Sequence, residues 1–190
     1  MDDSVIRAMA KWPDVPAVYG WLSLSRRGDW LIRGEPVRHR PSRAFIGRNF
    51  SVDRRGCWFF QNGPQRVYVE LEYTPWIVSL DGENNLVTHT GKFVCDLSGA
   101  WLDEDGSLLL LTGHGVALLD HRDLEPFSAR LRHGTGEDDE ALLERAVEQT
   151  RAGRPGDLFI EWGECSLPVG SIAREDVPAR FGFNPSPQPD

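Results

Sequence analysis

Two stretches of the chain that lie 50 residues apart align without a gap, and this repetition constrains the fold more than any other feature. The stretch DRRGCWFFQNGPQRVYVE (53–70) lies over DEDGSLLLLTGHGVALLD (103–120), so that Gly56 meets Gly106. The aromatic run of the first stretch falls on the leucine run of the second. Glycines that recur between short apolar runs are typical of β-hairpins. The pattern predicts two degenerate β-meander repeats of about 50 residues each.

The remaining segments complete a prediction of the fold class as α+β and β-rich. Within 67–72, apolar and polar residues alternate, as expected of a half-buried antiparallel strand. A short helix is predicted over 3–11. A longer helix is predicted over 138–153, where acidic residues precede an apolar face and a glycine follows. Two closing strands are predicted over 158–162 and 167–172. The expected architecture is two antiparallel β-meander repeats plus a C-terminal helix and two further strands.

Charge is distributed unevenly along the chain. Residues 26–66 hold ten arginines against three acidic residues, a balance of +7, whereas residues 77–190 hold 9 basic and 21 acidic residues, a balance of −12. Such asymmetry is typical of an anion-binding region or of two lobes that attract each other. We expect a basic domain over 1–75, formed by the N-terminal helix and the first repeat. An acidic domain over 76–183 would hold the second repeat, its helix and the closing strands, and the proline-rich tail 184–190 would be disordered.

The cysteines and the apolar segments indicate a cytoplasmic protein. Cys57, Cys95 and Cys165 are odd in number and widely spaced, and no C-x-x-C pair is present. A zinc knuckle or a redox motif is therefore not expected. The N-terminal MDDSVIRAMAKW lacks the apolar run of a secretory signal, and nothing approaches the roughly 20 apolar residues of a membrane span. We expect no membrane association and no cofactor.

Arginine and aromatic residues are interleaved through 26–66. Guanidinium groups bind phosphate and aromatic rings stack on bases, so an exposed surface of this kind predicts binding of nucleic acid or another phosphate ligand. In the other interpretation, the rings form the core of the first sheet and the arginines pair with acidic residues of the second half. This interpretation is favoured because leucines replace Phe59 and Phe60 in the second repeat. The sequence pI of about 5.1 is also unusual for a nucleic-acid-binding protein.

The sequence carries no motif that assigns a catalytic residue. It has no G-x-S-x-G nucleophile elbow, no P-loop and no H-E-x-x-H zinc motif. His121 and Asp123 form an H-x-D pair whose side chains would share one face of a strand, which is the pattern of a weak metal site or an acid–base pair. A small hydrolase or lyase that uses these residues therefore remains an alternative, although a non-enzymatic protein is favoured.

The strings GDWLIRGEPV, VYVELEYTPW and VPARFGF resemble proteobacterial families of unknown function. Those families share a G-x-W hairpin followed by a strand that ends in V-E-x-x-x-x-P-aromatic, which is represented here by Val69, Glu70, Pro75 and Trp76. The resemblance implies an α+β protein with repeated β-motifs and a role in signalling or small-ligand sensing. It implies no catalytic residues.

The favoured function is a non-enzymatic regulatory module that binds a small ligand or a protein. Pockets are common where structural units meet, so we expect the site in a cleft between the two repeats. Arg33 and His89 are predicted on matching strands of the repeats, and Trp58, Arg66 and His114 are the other candidate ligand-binding residues. Candidate partners are a small molecule, a protein or a second copy of the chain, and nucleic acid is not favoured.

Overall fold

The computed structural model describes residues 1–134, 140–154 and 156–189. These residues divide into two compact units. The first unit comprises residues 1–75, 89–92 and 178–190, and the second comprises residues 76–88 and 93–177. The predicted domains are continuous along the chain, whereas each unit is assembled from separate segments.

The first unit combines helices with one mixed sheet. Pro41 lies in the first turn of its second helix, where a backbone N–H has no helical acceptor and its loss is harmless. The helices are α1 (Asp3–Lys11) and α2 (Arg40–Arg48), and the strands are β1 (Val18–Leu24), β2 (Trp30–Ile32), β3 (Glu35–Pro36), β4 (Phe50–Val52), β5 (Trp58–Asn62) and β6 (Gln65–Leu71).

The strands of the first unit are arranged in the order β3-β2-β1-β6-β5-β4. All neighbours are antiparallel except β1 and β6, which run parallel. The prediction of a purely antiparallel meander is therefore wrong. The chain leaves β1, forms β2, β3, α2, β4 and β5, and returns as β6 beside β1 in the same direction. Parallel neighbours require a long connection of this kind.

Strand β1 contains a β-bulge next to Trp21. Residues 19–21 of β1 lie opposite the single residue Tyr68 of β6. Gly20 has a φ of 71°, a left-handed conformation that glycine adopts without steric penalty. After the bulge the side chains alternate in exposure, so that Trp21 is 49% exposed whereas Leu22 is buried.

The second unit holds a larger mixed sheet. Its strands are β7 (Trp76–Leu80), β8 (Leu86–Thr88), β9 (Leu97–Leu102), β10 (Leu108–Thr112), β11 (Gly115–Leu119), β12 (Leu131–His133), β13 (Leu158–Trp162) and β14 (Cys165–Ser171), and its helices are α3 (Leu124–Ser128) and α4 (Glu140–Arg151). Short 3₁₀ turns cover His121–Asp123 and Arg174–Asp176. The helix α5 (Val177–Phe181) follows the second turn and, from Pro178 on, belongs to the first unit.

Five strands of each sheet follow one arrangement. The second sheet has the order β12-β13-β14-β9-β10-β11-β7-β8, in which β7–β11 and β9–β14 are parallel pairs. In both sheets a hairpin (β1–β2 or β7–β8) is followed by a three-stranded meander whose last strand lies parallel to the first strand of the hairpin. An origin of the two sheets by duplication stays a prediction.

Four hairpin loops, two in each unit, have the same hydrogen bonds. In each five-residue loop the first side-chain oxygen accepts hydrogen bonds from the backbone N–H groups two and four residues later, and the fourth residue has a left-handed φ. Asp and Ser form such local turns readily, and Gly or Asn tolerates the positive φ. The loops are residues 25–29, 53–57, 81–85 and 103–107, with φ values of 77° at Gly28, 75° at Gly56, 62° at Asn84 and 82° at Gly106.

Large apolar side chains fill the interior of each unit. In the first unit, Trp30 is 1% exposed, and Phe59 and Phe60 are both buried. The prediction that these two phenylalanines belong to the core is therefore confirmed. In the second unit, Leu109 and Leu110 of β10 are fully buried. Burial of such side chains is the dominant stabilising contribution in a sheet protein of this size.

The C-terminal helix and the two closing strands are present. The predicted helix 138–153 corresponds to α4, although its predicted start at residue 138 lies outside the described residues. The predicted strands correspond to β13 and β14, which pair with each other as an antiparallel hairpin.

The tail differs from the prediction of disorder for 184–190. Asn184 forms a β-bridge with Cys57, and the N–H of Leu71 donates to the carbonyl oxygen of Pro185 at 2.8 Å. Prolines restrict the chain before it folds, so little conformational entropy is lost when an extended proline-rich segment packs. Residue 190 lies outside the described residues. Within the described part of the chain, no helix is long and apolar enough to cross a membrane.

Candidate functional site

A cavity of about 400 Å³ lies in the first unit and is mostly apolar. We call it the Trp21 groove. It is lined by Val18, Trp21, Leu22, Ile32, Ile46, Phe60, Asn62, Gln65 and Val67. These residues come from β1, β2, β5, β6 and α2, which are elements of the sheet and of the helix that follows β3. The volume falls at the lower end of the range of roughly 300–1,000 Å³ that is typical of small-molecule sites.

Two large apolar side chains of the groove are half exposed. Trp21 is 49% exposed and Ile32 is 45% exposed. They lie on neighbouring antiparallel strands, since the partner of Ile32 in the β1–β2 pairing is Leu22, directly after Trp21. Single exposed apolar side chains are ordinary, but two of them on the wall of one cavity form an apolar patch of the kind that marks a binding site.

Arg33 stacks on one face of the Trp21 ring. Its guanidinium carbon lies 3.7 Å from the centroid of the Trp21 ring, and its backbone N–H donates to the Trp21 carbonyl oxygen at 2.9 Å. Arg33 and Gly34 form the two-residue turn between β2 and β3, and both have positive φ, 51° and 85°. Tight hairpin turns demand this conformation, which disfavours an arginine relative to Asn or Gly. The turn thus places a cation on the indole ring.

The polar groups of the groove are two side-chain amides. Asn62 and Gln65 face each other as the last pair of the β5–β6 hairpin. The Gln65 amide also donates to the carbonyl oxygen of Pro16 at 3.4 Å. Amide side chains donate and accept hydrogen bonds without carrying charge. The lining therefore offers an apolar surface with neutral hydrogen-bonding groups at one end.

Arg66 belongs to a separate cluster around Tyr68. The Tyr68 hydroxyl donates to Asp53 at 2.9 Å and accepts from Arg55 at 3.1 Å, while Arg66 lies over the Phe59 ring at 4.1 Å. Burial raises the pKa of Tyr68 overall, although the hydrogen bond from Arg66 lowers it and the hydrogen bond to Asp53 raises it. Burial also tends to raise the pKa of Asp53, but its hydrogen bonds from Tyr68 and from backbone N–H groups lower it overall. The charged side chains of this cluster are therefore hydrogen-bonded to one another or to Tyr68.

Trp58 and His89 contact the same phenylalanine of the first unit. The rings of Trp58 and Phe50 are 4.7 Å apart, and the His89 ring lies 5.9 Å from Phe50 and 5.1 Å from Trp30. The two contacts of His89 are edge-to-face and that of Trp58 is tilted, geometries that are typical of packed aromatic side chains. His89 directly follows β8 just as Arg33 directly follows β2, so neither lies within the strand on which it was predicted.

His114 lies in the second unit, in the two-residue turn between β10 and β11. Its Nε2 is 3.1 Å from the carbonyl oxygen of Phe93, and its ring lies 5.5 Å from that of Trp76. Of the five predicted ligand-binding residues, Arg33 is therefore the one that contacts the Trp21 groove. Trp58 and His89 share a contact, and Arg66 and His114 lie elsewhere. Their role in binding stays a prediction.

The structure contradicts the predicted geometry of His121 and Asp123. Both residues lie in a 3₁₀ turn rather than on a strand. Asp123 accepts a hydrogen bond from the backbone N–H of Leu80 at 2.8 Å, and the His121 Nδ1 lies 3.3 Å from Asp120. The Asp120 side chain begins the turn by accepting from the N–H of Arg122, which the alternation of the sequence does not indicate. Among residues 1–134, 140–154 and 156–189, no group of three or more His, Cys, Asp or Glu residues could hold a metal ion.

Arginines of the basic segment pair with acidic residues of their own unit. Each of three salt bridges joins a guanidinium and a carboxylate of the first unit, so the predicted partners in the acidic second half are wrong for these three. The pairs are Arg43–Asp29 at 3.5 Å, Arg48–Asp2 at 3.2 Å and Arg55–Asp53 at 3.3 Å.

Sequence reasoning missed most of the groove. Trp21, Ile32 and Asn62 were not among the predicted site residues, although each lines the cavity. The sequence offers a signal for Trp21 alone, namely the adjacent Gly20, since a glycine inside a strand indicates a bulge or a close approach.

Comparison with known proteins gives the family but no activity. A search of curated proteins finds no match. A crystal structure of a DUF1285 family protein from Silicibacter pomeroyi DSS-3 is similar with a TM-score of 0.49 and 14% identity, over 73% of this chain and 88% of that chain. A DUF1285 family protein from Shewanella baltica OS155 is similar with a TM-score of 0.44 and 16% identity, over 57% of this chain and 90% of that chain.

The family model DUF2944, described as "Protein of unknown function (DUF2946)", matches residues 1–188. This match confirms the predicted membership of an uncharacterised family. The chain therefore belongs to this family of unknown function.

Proposed function

We propose that the protein is a non-enzymatic regulatory module that binds a small ligand in the Trp21 groove. The observation that carries the proposal is the half-exposed Trp21 on the wall of a 400 Å³ cavity. A side chain of this size contributes little to folding while it faces water, and a ligand that covered it would remove that surface from solvent. Burial of the exposed halves of Trp21 and Ile32 would contribute roughly 1 kcal/mol each to binding.

The site is also well ordered before any ligand arrives. Trp21 is carried by the paired strand β1, and its ring is stacked with Arg33. The amides of Asn62 and Gln65 are carried by paired strands rather than by a long loop. Sites of this kind lose little conformational entropy on binding, which favours affinity for a small molecule.

Two alternatives receive less support. Nucleic-acid or phosphate binding through 26–66 would need exposed rings and unpaired arginines, whereas Phe59 is buried and Arg43, Arg48 and Arg55 form salt bridges within the unit. A hydrolase or lyase that used His121 and Asp123 would need both side chains to face one substrate, and the Asp123 carboxylate already caps the N–H of Leu80.

Location, signalling role and assembly are parts of the same proposal. The odd number of cysteines supports a reducing compartment, and we propose a cytoplasmic location. The shared five-strand arrangement and the four alike loops support an internal repeat that arose by duplication. A protein partner or a second copy of the chain could respond to ligand binding and so transmit a signal.

A neutral probe tests the groove most directly. We expect 1-octanol to bind to the protein with saturable heat in isothermal titration calorimetry, and we expect Trp21→Ala to abolish the signal. Trp12→Ala is the matched control, because Trp12 is also a half-exposed tryptophan of the first unit but does not line the groove. Absence of binding to the wild type, or equal binding to Trp21→Ala, would contradict the proposal.

A further inference from the structure

We propose that the ligand of the Trp21 groove is an amphiphile with one negative charge, a carboxylate on a small apolar body, and that Arg33 binds the carboxylate. This inference rests on the proposed function of the groove and names the chemical class of its ligand. It follows from the chemistry of the lining, from the position of one guanidinium and from the charge that this guanidinium leaves unmatched.

The residues that line the groove favour a ligand with a largely apolar body. Seven of these nine residues are aliphatic or aromatic, and the other two, Asn62 and Gln65, are neutral amides. No carboxylate and no ammonium group lines the cavity among the residues that the structure describes. A charge placed deep in the groove would lose its hydration without an ionic partner, which is strongly unfavourable. A charged group of the ligand is therefore expected at the rim.

Arg33 supplies a cation at that rim. Its guanidinium contacts Trp21, and its backbone follows Ile32 directly, so it adjoins the two half-exposed side chains of the groove. At 3.7 Å from the ring centroid the guanidinium lies against the face of the indole, which leaves the N–H groups at its edge directed away from the ring. Edge N–H groups of arginine match the two oxygens of a carboxylate.

The charge of Arg33 is not matched within the described part of the chain. Arg43, Arg48 and Arg55 each have a carboxylate within 3.5 Å, whereas the structure records no ion pair and no side-chain hydrogen bond for Arg33. Glu35 is the closest acidic residue in sequence, and it does not pair with Arg33. The stacking contact therefore fixes a guanidinium whose hydrogen-bond donors remain available to a ligand.

The single guanidinium at the groove, that of Arg33, favours a ligand with a single negative charge. A phosphate monoester carries between one and two negative charges at neutral pH and is commonly held by several cations or by a helix N-terminus. The groove presents a single arginine beside two neutral amides. A carboxylate needs no second cation, and its apolar body would cover Trp21 and Ile32 while the amides bind any hydroxyl or carbonyl group it carries.

Three probes of equal chain length separate charge from apolar burial. Sodium octanoate, 1-octanol and octylammonium chloride are titrated into the full-length protein at low ionic strength. We expect octanoate to bind at least ten-fold more tightly than octanol, and octylammonium to bind more weakly than either. Because the contact is ionic and close to solvent, the preference for octanoate is expected to decline as salt is added.

Variants at position 33 assign the preference to the arginine. Asn tolerates the positive φ of this turn, so Arg33→Asn is expected to fold as the wild type does. It should bind octanoate and octanol with similar affinity. Arg54→Asn is the matched control, since Arg54 is an exposed arginine of the same unit that does not line the groove, and it should keep the full preference.

The outcomes distinguish the two proposals. Equal affinity of the wild type for octanoate and octanol, or an unchanged preference in Arg33→Asn, would overturn the assignment of the carboxylate while the groove remains a ligand site. If neither octanol nor octanoate binds to the wild type, or if Trp21→Ala binds both as before, the ligand site itself is refuted and the assignment with it.

Discussion

Asp53 and Asp103, which lie 50 residues apart in different units, make the same hydrogen bonds in loops of the same geometry. In each loop one carboxylate oxygen accepts from the N–H groups two and four residues later, at 2.9 and 3.0 Å for Asp53 and at 3.0 and 2.7 Å for Asp103. The backbone N–H of the same aspartate donates to the carbonyl oxygen four residues later. The shared loop shows that the alignment of the two stretches reflects local structure.

Removal of the Asp103 carboxylate should destabilise the protein markedly. Asp103 is fully buried, so Asp103→Ala leaves the buried N–H of Ser107 and the part-buried N–H of Asp105 without this acceptor. We expect a loss of about 1–3 kcal/mol in the free energy of unfolding, measured by urea denaturation. Asp103→Asn keeps an accepting oxygen and should lose less. Asp81→Ala breaks the same hydrogen bonds in a more exposed loop and should also lose less than Asp103→Ala. Equal stability of Asp103→Ala and the wild type would show that the loop is held by other contacts.

The same comparison shows which parts of the fold a sequence can predict. Hairpin loops depend on a few neighbouring residues, so Asp53 and Gly56 predict the loop and its recurrence at Asp103 and Gly106. The parallel pairing of β1 with β6 depends on where the chain returns after α2 and two strands. No local pattern encodes that return, and the prediction of a purely antiparallel sheet was wrong for this reason.

For the candidate site too, the sequence predicts some residues and misses others. Arg33 was predicted, but its partner Trp21 was not, because the stacking contact joins a residue of β1 to the turn after β2 and depends on how β1 and β2 pair. His121 and Asp123 were predicted on a strand. In the structure the Asp120 side chain accepts a hydrogen bond from the N–H of Arg122, and residues 121–123 form a 3₁₀ turn. Side-chain capping competes with strand formation over a few residues, and alternation alone does not reveal it.

Asp120 should make stability depend on pH in the acid range. Its side chain is 2% exposed, and burial tends to raise its pKa, but the side chain and backbone N–H groups of Arg122 lower it overall below the ordinary value of 3.8. A carboxyl with a lowered pKa in the folded state stabilises the fold above its ordinary pKa, and this contribution is lost as the pH falls through the folded pKa.

Asp120→Asn isolates this contribution. The difference in the free energy of unfolding between wild type and Asp120→Asn should be largest near neutral pH and should shrink as the pH falls below the ordinary pKa of 3.8. Urea denaturation at several pH values measures it. A difference that stays constant across this range would mean that the ion pair with Arg122 does not govern the acid dependence.

Two glycines with similar backbone conformations should respond differently to alanine. Gly20 and Gly56 have φ values of 71° and 75°. A Cβ at Gly20 would meet nothing within 4 Å, whereas a Cβ at Gly56 would lie 2.5 Å from the carbonyl oxygen of Gly182. Both variants carry the conformational penalty of roughly 1–2 kcal/mol, and Gly56→Ala must in addition displace the C-terminal backbone.

We therefore expect Gly56→Ala to unfold at a clearly lower urea concentration than Gly20→Ala. Hydrogen exchange of the Leu71 N–H, which donates to Pro185, should also be faster in Gly56→Ala than in Gly20→Ala, because the displaced segment continues into that contact. Similar stability of the two variants would indicate that residues 182–185 do not pack against the loop at Gly56.

Trp21 and Trp30 lie on adjacent strands but should contribute very differently to stability. Trp30 is 1% exposed and contacts Phe50 and His89, so Trp30→Ala should lower the free energy of unfolding by about 3–5 kcal/mol. Trp21→Ala removes a half-exposed ring that is stacked with Arg33, and a loss of about 1 kcal/mol or less is expected. Urea denaturation of both variants and the wild type measures the contrast.

This contrast bears on function as well as on folding. A tryptophan that adds little to stability, stacked against an arginine in a backbone conformation that disfavours it, is what the proposed ligand site requires. If Trp21→Ala proves as destabilising as Trp30→Ala, the ring is a structural element, and the loss of octanol binding in that variant would no longer indicate a ligand site.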